Sequence, residues 1–322
     1  MTKALHQQRG AAILAAMLTV TLVATFAATA MWQQYRSIEV ETAERARVQS
    51  GWLATAALDW ARLVLREDAR AGNADHLAEP WAVLFSSAQL SSFLFMNQGE
   101  TGTEKNATLT GQITDLQSRL NVANLIDGRA LSAPDLNNFI RLFELQGLPT
   151  SELVTMANQL LEATIAESNA GLMPQQVEQL VWLGMSAQTL EALRPYVTLL
   201  PQRTPVNLNT ASAEVIYVST PDMSLGDARK LVTLREAGYF RSLADAVAKA
   251  GDGADQFNEG RHGVASSFFE VQTSLRLDQT WQEERATVKR DGLNVRVLWR
   301  DRGVVGASMP VTPVAPVTPI SR

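Results

Sequence analysis

The sequence predicts an α+β fold in which a long amino-terminal helix packs on a small antiparallel sheet, with a large all-helical domain inserted into it. Three observations carry this. Residues 11–32 hold no Asp, Glu, Lys or Arg, and the helical pattern that starts there runs on to about Arg66 with Gly51 as the one interruption by Gly or Pro. From Ser132 to about Gly251 apolar residues recur at helical spacing in short runs bounded by capping residues and glycines. On either side of that block, at 109–114 and beyond 267, the period is two, and a lone strand has no sheet to join unless these segments pair.

At 322 residues, with 46% hydrophobic and 19% charged, the chain can form two modest domains with a real core. The net charge of -5 and the lack of a basic block after the apolar segment argue against general phosphate-backbone binding. With no cysteine, disulfides, thiolate zinc sites and cysteine nucleophiles are excluded together. His6, His76 and His262 are isolated from one another, which leaves a histidine metal centre or a Ser/His/Asp triad little to build on. No Walker A loop, GxSxG elbow, HExxH or well-placed GxGxxG occurs, so no enzyme is expected.

The 22 uncharged residues of 11–32 would span roughly 33 Å as a helix, enough for a bilayer core. Lys3 and Arg9 precede the run, whereas Arg36 is mixed with Glu39, Glu41 and Glu44 beyond it, which puts the amino terminus in the cytoplasm. Ala28-Thr29-Ala30 has the small residues of a signal-peptidase site, but a removed signal has no reason to lead into a continuous helix. From Ala11 to Arg66 that helix would measure roughly 84 Å, half in lipid and half amphipathic. Trp52, Ala56, Trp60 and Leu63/Val64 share one stripe, the pattern of a face for partner helices or of a face on the protein's own sheet.

Further along, Trp81, Leu84 and Phe85 form a short amphipathic stretch, and NQGETGTEKNA reads as an exposed loop over 97–107. Leu109, Gly111 and Ile113 alternate as in a strand. Ala133-Pro134-Asp135 starts a helix with Leu136, Phe139, Ile140 and Phe143 on one face and Gly147 as its stop. Leu153, Ala157, Leu160, Leu161 and Ile165 mark a second helix. Pro174 opens a third, with Val177, Leu180 and Val181, and Ser186 precedes a fourth. Ser224 with Asp227 and Ser242 with Asp245 have capping-box spacing, with Gly238 and Gly251 as stops. Phe269, Val271, Thr273, Leu275 and Leu277 alternate in a strand, and ATVKRDGLNVRVLW reads as a hairpin around Asp291-Gly292. Pro310, Pro313, Pro316 and Pro319 mark the last residues as a disordered, extended tail.

Arg9-Gly10 followed by Ala11-Ala12-Ile13-Leu14 resembles the processing site of type IV prepilins and type II secretion pseudopilins. That resemblance implies cleavage by prepilin peptidase between Gly10 and Ala11 and methylation of the new amino terminus. Family members normally carry Glu as the fifth mature residue, where this chain has Ala15. Lack of that Glu marks the K-type minor pseudopilins, whose place at the pseudopilus tip leaves no subunit above to neutralise. ITDLQSRLNVANL is similar to the family's Asp-Leu-Gln-Gly-Arg-Phe-Asn-Leu-Asn-Asn-Leu signature, with Ser118 for Gly and Ala123 for the second Asn, so a role for that Asn does not carry over. PVNLNTASAEV at 205–215 matches the opening of the second module of the family's helical domain. The resemblance covers most of the chain apart from 97–107 and the tail.

It implies a pilin-like fold with an inserted domain of tandem SAM-like modules. The expected organisation is a leader over 1–10, the transmembrane half of the helix over 11–32, the pilin-like domain over 33–125 and 256–303, the insertion over 126–255 and the tail over 304–322. Implied partners are minor pseudopilins I and J, the major pseudopilin G, prepilin peptidase and the inner-membrane assembly platform. The globular part is then periplasmic.

The 206–247 region also resembles the helix-hairpin-helix of competence DNA receptors. There a glycine-rich turn presents backbone N–H groups to phosphate, but this chain has Thr220-Pro221-Asp222-Met223-Ser224, without the glycines and with a carboxylate. Asn207, Asn209 and Thr210 are read as capping and turning the backbone. Asp252, Asp255, Glu259 and Glu270, or Glu100 and Glu104, are oxygen donors suited to Ca2+, yet their spacing matches no EF-hand and a solvated acidic surface accounts for them. No cofactor is assigned. Two alternatives stay open at the sequence level: a minor pilin of a type IV pilus or DNA-uptake protein, and a simple signal-anchored scaffold.

Overall fold

The computed structural model describes residues 4–72, 74–86, 107–165, 172–250, 257–277 and 280–303. Most of the loop expected over 97–107, the tail, Gly251 and the acidic residues Glu100, Glu104, Asp252 and Asp255 lie outside the described residues. The chain forms two units, residues 1–55 and 56–322. One helix, α1 (Ala4–Ala71), supplies all the described structure of the first and enters the second.

In the second unit, β1 (Phe85–Ser86), β2 (Ala107–Asp115), β9 (Phe268–Leu277), β10 (Thr280–Asp291) and β11 (Asn294–Gly303) form one antiparallel sheet in the order β1-β2-β9-β10-β11. Strands β2 and β9 are neighbours, with Ile113 opposite Val271, although more than 150 residues separate those two positions in sequence. The helical block is therefore an insertion between paired strands, as expected. The hairpin closes with Asp291 opposite Asn294, and Gly292 takes φ 55°, a left-handed value that glycine adopts without a Cβ clash.

Leu109, Ile113, Val271, Leu275, Ala286 and Val288 line the sheet face that the 56–71 part of α1 shares. Ala57, Leu58, Ala61 and Leu65 are buried on that helix, and its alanines let the backbone come close. On one flank of this stripe Trp60 meets Phe85 at a tilted angle with centroids 4.6 Å apart; on the other, Arg62 donates Nε to the Val295 carbonyl of β11 at 3.0 Å. The Phe85 ring lies directly over Gly111, where an added Cβ would come within 1.9 Å of it. The stretch of Trp81, Leu84 and Phe85 read as amphipathic is thus a 3-10 turn, Pro80–Ala82, leading into an edge strand; Trp81 and Phe85 are buried and Leu84 is exposed.

The insertion begins with two short segments, β3 (Leu120–Asn121) and the hairpin β4 (Ile126–Asp127) with β5 (Ala130–Leu131), followed by α2 (Ala133–Gln146) and α3 (Thr150–Thr164). It continues through α4 (Ala187–Leu193), β6 (Val197–Thr198), β7 (Val206–Asn207), α5 (Ala213–Ser219), α6 (Leu225–Ala237), α7 (Leu243–Ala250) and β8 (His262–Gly263). Gly147 ends α2 at φ 66°, and Ser186, Ser212 and Ser224 cap α4, α5 and α6 by accepting from the third backbone N–H beyond each. The helix expected after Pro174 is instead a 3-10 segment, Val177–Leu183. Gln179 folds its carbonyl back onto the N–H groups of Gln175 and Gln176, and Gly184 at φ 85° stops the segment after two tight turns. Phe139, Leu142, Phe143, Leu153, Met156, Leu160, Val215 and Phe240 belong to one continuous core. Two parallel pairs, β3 with β6 and β7 with β8, tie the two ends of the insertion to the segment between its two halves.

Candidate functional site

In the first unit the Arg9-Gly10-Ala11 segment lies within α1. From Ala11 onward the apolar residues are exposed, among them Ile13, Leu14, Met17, Val20 and Phe26, and Ala15 is exposed with them. The most apolar window has a mean hydropathy of 2.2 with none of its surface buried, long and apolar enough to cross a bilayer. The threonines in it do not leave open polar groups. Thr19, Thr21, Thr25 and Thr29 each donate their hydroxyl to a carbonyl one turn back, at 2.8 to 3.0 Å, so the segment satisfies its own hydrogen bonds as lipid requires. The apolar run ends at Trp32, over whose ring the Arg36 guanidinium sits 5.7 Å from the centroid, the aromatic and cationic pairing favoured at a membrane boundary.

Of the stripe residues, Trp52 is 72% exposed and Ala56 is half-buried, whereas Trp60 is half-buried against Phe85. The buried positions Ala57, Leu58, Ala61 and Leu65 belong to a different side of the helix, because Ala56 and Leu58 are about 200° apart at about 100° per residue.

The second unit holds a buried polar network where the insertion leaves and rejoins the sheet. Asp115, the last residue of β2, is 2% exposed. Its Oδ2 accepts from Asn207 Nδ2 at 3.0 Å, Thr210 Oγ1 at 2.5 Å and Ser266 Oγ at 2.6 Å, and its Oδ1 accepts from the Gln117 N–H at 2.7 Å. Asn207 is fully buried and donates also to the Asp75 carbonyl and Ser266 Oγ, while its own Oδ1 accepts from the Asn209 N–H. Asn209 in turn exchanges two hydrogen bonds with the backbone of Phe240. Asp75 accepts from the Ser266 N–H at 2.6 Å and pairs with Arg290 of β10.

The two sequence signatures interlock around this centre. Gln117 donates to the Pro205 carbonyl and accepts from the Ser267 N–H; Asn121 reaches the Gln202 carbonyl, Thr204 Oγ1 and the Leu200 N–H; Asn124 exchanges two hydrogen bonds with Thr204. Burial pushes the Asp115 carboxyl up to about 6 against the pull of Ser266, Thr210 and Gln117, so at neutral pH it is ionised and matched to its four donors. Burial likewise raises Asp75, with Arg290 opposing it. Asn207, Asn209 and Thr210 therefore do more than turn the backbone: they lock the second module to the strand. Asp75, Ser266 and Arg290 carry no local sequence signal, and only the fold brings them to the motifs.

The hairpin between α5 and α6 turns through Thr220-Pro221-Asp222-Met223-Ser224. Arg141 of α2 donates to the Thr220 carbonyl at 2.7 Å and the Met223 carbonyl at 3.4 Å and lies 4.4 Å over the Tyr217 ring, while Asp222 adopts φ 55° in the turn. A turn that shows carbonyls and a carboxylate is the wrong polarity for a nucleic-acid backbone. Glu259 is exposed, and Glu270 pairs with Arg285 at 3.8 Å. Among the described residues, the carboxylates close enough to share a cation are instead Asp68, Asp75 and Glu79, with the Arg290 guanidinium already bound to the first two.

Comparison with known proteins matches this geometry. Residues 206–265, which begin at the Asn207 signature and end just before Ser266, match the family described as type II secretion system (T2SS), protein K. The type II secretion system protein K of Pseudomonas aeruginosa is 27% identical over 95% of this chain and 96% of its own length. That of Klebsiella pneumoniae is 25% identical over 93% and 98%. In the crystal structure of the GspK-GspI-GspJ complex from the enterotoxigenic Escherichia coli type 2 secretion system, one chain superposes with a TM-score of 0.61 at 17% identity, over 83% of this chain and 99% of that one. The matched segment is the module that the buried network fastens to the sheet, and both relatives match over more than nine tenths of this chain: the chain is similar to type II secretion system protein K along most of its length.

Proposed function

We propose that the protein is the minor pseudopilin at the tip of the type II secretion pseudopilus and that it initiates assembly of that filament. The supporting observation is the exposed apolar segment of α1 from Ala11, with every threonine hydroxyl satisfied within the helix and no carboxylate at Ala15. Prepilin peptidase cuts between Gly10 and Ala11 after insertion with the amino terminus in the cytoplasm and the globular part in the periplasm. The helix first anchors the protein in the inner membrane beside the assembly platform and then packs against equivalent helices. A Glu in place of Ala15 would have no subunit above to neutralise it, which fits a first subunit.

Minor pseudopilins I and J dock along the side of α1 that carries Trp52 and Ala56, with Trp60 at its edge, and the major pseudopilin G adds beneath. The inserted domain is too bulky for the shaft and caps the tip. The growing filament then pushes folded exoproteins toward the outer-membrane secretin. The reading is tested by co-expressing the full chain with minor pseudopilins I and J and purifying through a tag on J. A stoichiometric ternary complex is expected; recovery of I and J without this chain sinks the partner assignment.

A further inference from the structure

We infer that a groove in the inserted domain, between α2 and the turn that joins α5 to α6, binds an extended peptide segment carrying an acidic side chain among apolar ones. The groove holds about 680 Å³ and is lined mostly by apolar surface, a size typical of ligand sites, which run to about 300–1,000 Å³. Pro134, Asn137 and Arg141 of α2 form one wall, and Pro221 and Asp222 of the turn form the other, together with Arg261 just before β8. None of these residues belongs to α1, so the site does not depend on the placement of the protein in a filament.

The α2 wall is a helical stripe. Pro134, Asn137 and Arg141 stand at i, i+3 and i+7, which aligns them along one side of the helix over about 10 Å at about 1.5 Å per residue. Three residues of extended chain cover the same length at about 3.3 Å each. Proline on both walls offers rigid apolar contact. The exposed Asn137 amide holds a donor and an acceptor in one side chain, the same pair that a peptide group presents.

The two walls are held at a fixed distance before anything binds. Arg141 Nη1 donates across to the Thr220 carbonyl at 2.7 Å, and the guanidinium lies 4.4 Å over the Tyr217 ring of α5. Thr220 Oγ1 in turn faces Nε2 of His262, the neighbour of Arg261. The backbone of Arg261 is tied on both sides: its N–H donates to the Asn258 carbonyl at 3.0 Å and its carbonyl accepts from the Val206 N–H at 2.8 Å. A groove built in advance loses little freedom when a ligand enters.

Charge selects the ligand. Elsewhere in the second unit Arg203, Arg285 and Arg290 each have a carboxylate within 4 Å, from Asp135, Glu270 and Asp68. Arg141 and Arg261 are half-buried and have no such carboxylate among the described residues, and the Arg261 side chain has no hydrogen-bond partner among them either. The carboxylate on the groove, Asp222, pairs with neither. Two guanidinium groups against one carboxylate leave one positive charge in a chain whose net charge is -5, and an acidic side chain answers it through paired N–H groups. A nucleic-acid backbone would need a row of such charges and would meet Asp222; a small anion would leave the apolar walls uncovered.

Panning a random octapeptide display library against the full chain in detergent, with Arg261→Gln as counter-target, tests this. The recovered peptides are expected to be enriched in Asp or Glu flanked by apolar residues. The best of them, made synthetically, should bind the wild type at least about tenfold more tightly than Arg261→Gln, and should lose as much when its own acid is changed to the amide. Asn137→Ala, an exposed change that favours the helix, should weaken binding several-fold. Asp222→Asn removes the groove's own carboxylate and tolerates the left-handed φ of 55°, so it should tighten binding. These two variants keep the test decisive if Arg261→Gln lowers the melting midpoint; Arg141 is left intact because it holds the turn. Arg296→Gln on β11, outside the groove, should change nothing. Recovery of peptides without acidic enrichment, equal binding by wild type, Arg261→Gln and Asn137→Ala, or displacement of the peptide by an equal concentration of inorganic phosphate or oligothymidylate would overturn the proposal.

Discussion

The Asn207 side chain donates to the Asp115 carboxylate at 3.0 Å although the two residues are 92 positions apart. This contact ties the opening of the second helical module to the strand from which the whole insertion departs. Asn207→Ala would leave the Asn209 N–H without its acceptor and remove a donor from Asp115, Ser266 and the Asp75 carbonyl. Burying such groups unpaired costs about 1–3 kcal/mol each, so a loss of about 3 kcal/mol is expected in urea unfolding of the full chain. A loss below about 0.5 kcal/mol would mean that the network relaxes around the gap.

His262 sets a second, pH-dependent expectation. It is buried; its Nδ1 accepts weakly from the Asn258 N–H and its Nε2 faces Thr220 Oγ1 at 3.2 Å. Burial, and then Arg261, lower its pKa from 6.5 to about 4. The unfolded chain therefore takes up a proton near pH 6.5 that the fold refuses, and stability is lost as pH falls from there toward 4. Asp115, raised to about 6, acts in the opposite sense over nearly the same range, so the two partly offset each other in the wild type. The difference between wild type and His262→Gln isolates the histidine: it should grow by on the order of 2 kcal/mol from pH 4 to pH 6.5, and a difference independent of pH would rule this out.

Gly111 tests how α1 is seated. Phe85 covers it and Trp60 rests on Phe85, so Gly111→Ala pushes the ring out from under the helix. Destabilisation of about 1–3 kcal/mol is expected, with a change in the near-ultraviolet signal of the tryptophans. An unchanged spectrum would show that Phe85 has another seat.

The pattern of legibility follows from the range of each interaction. The uncharged helix, the caps at Ser186 and Ser224, the stop at Gly147 and the strands around Ile113 and Val271 were readable because periodicity and capping act over a few residues. Pairing of β2 with β9 followed from the need of one strand for another. The 3-10 form of Val177–Leu183 was not readable, since its apolar spacing fits either helix and the Gln179 carbonyl decides the outcome. The polar centre was half legible: the signatures held Asp115, Gln117, Asn121 and Asn207, but Asp75, Ser266 and Arg290 reach it from segments with no motif.

Trp52 separates partner binding from folding. Being 72% exposed, it contributes little to the protein's own core, and Trp52→Ala should change stability by no more than about 0.5 kcal/mol. The same variant should lower recovery of the complex with minor pseudopilins I and J several-fold. Full recovery would move the interface off this side of α1.

The proposed function requires α1 to be cut between Gly10 and Ala11 and then retained as a packing element. Amino-terminal sequencing and mass measurement of the mature protein from membranes test it most directly. The expected chain begins at Ala11, with a methylated amino group. An intact Met1, or a terminus near Ala30, would contradict it.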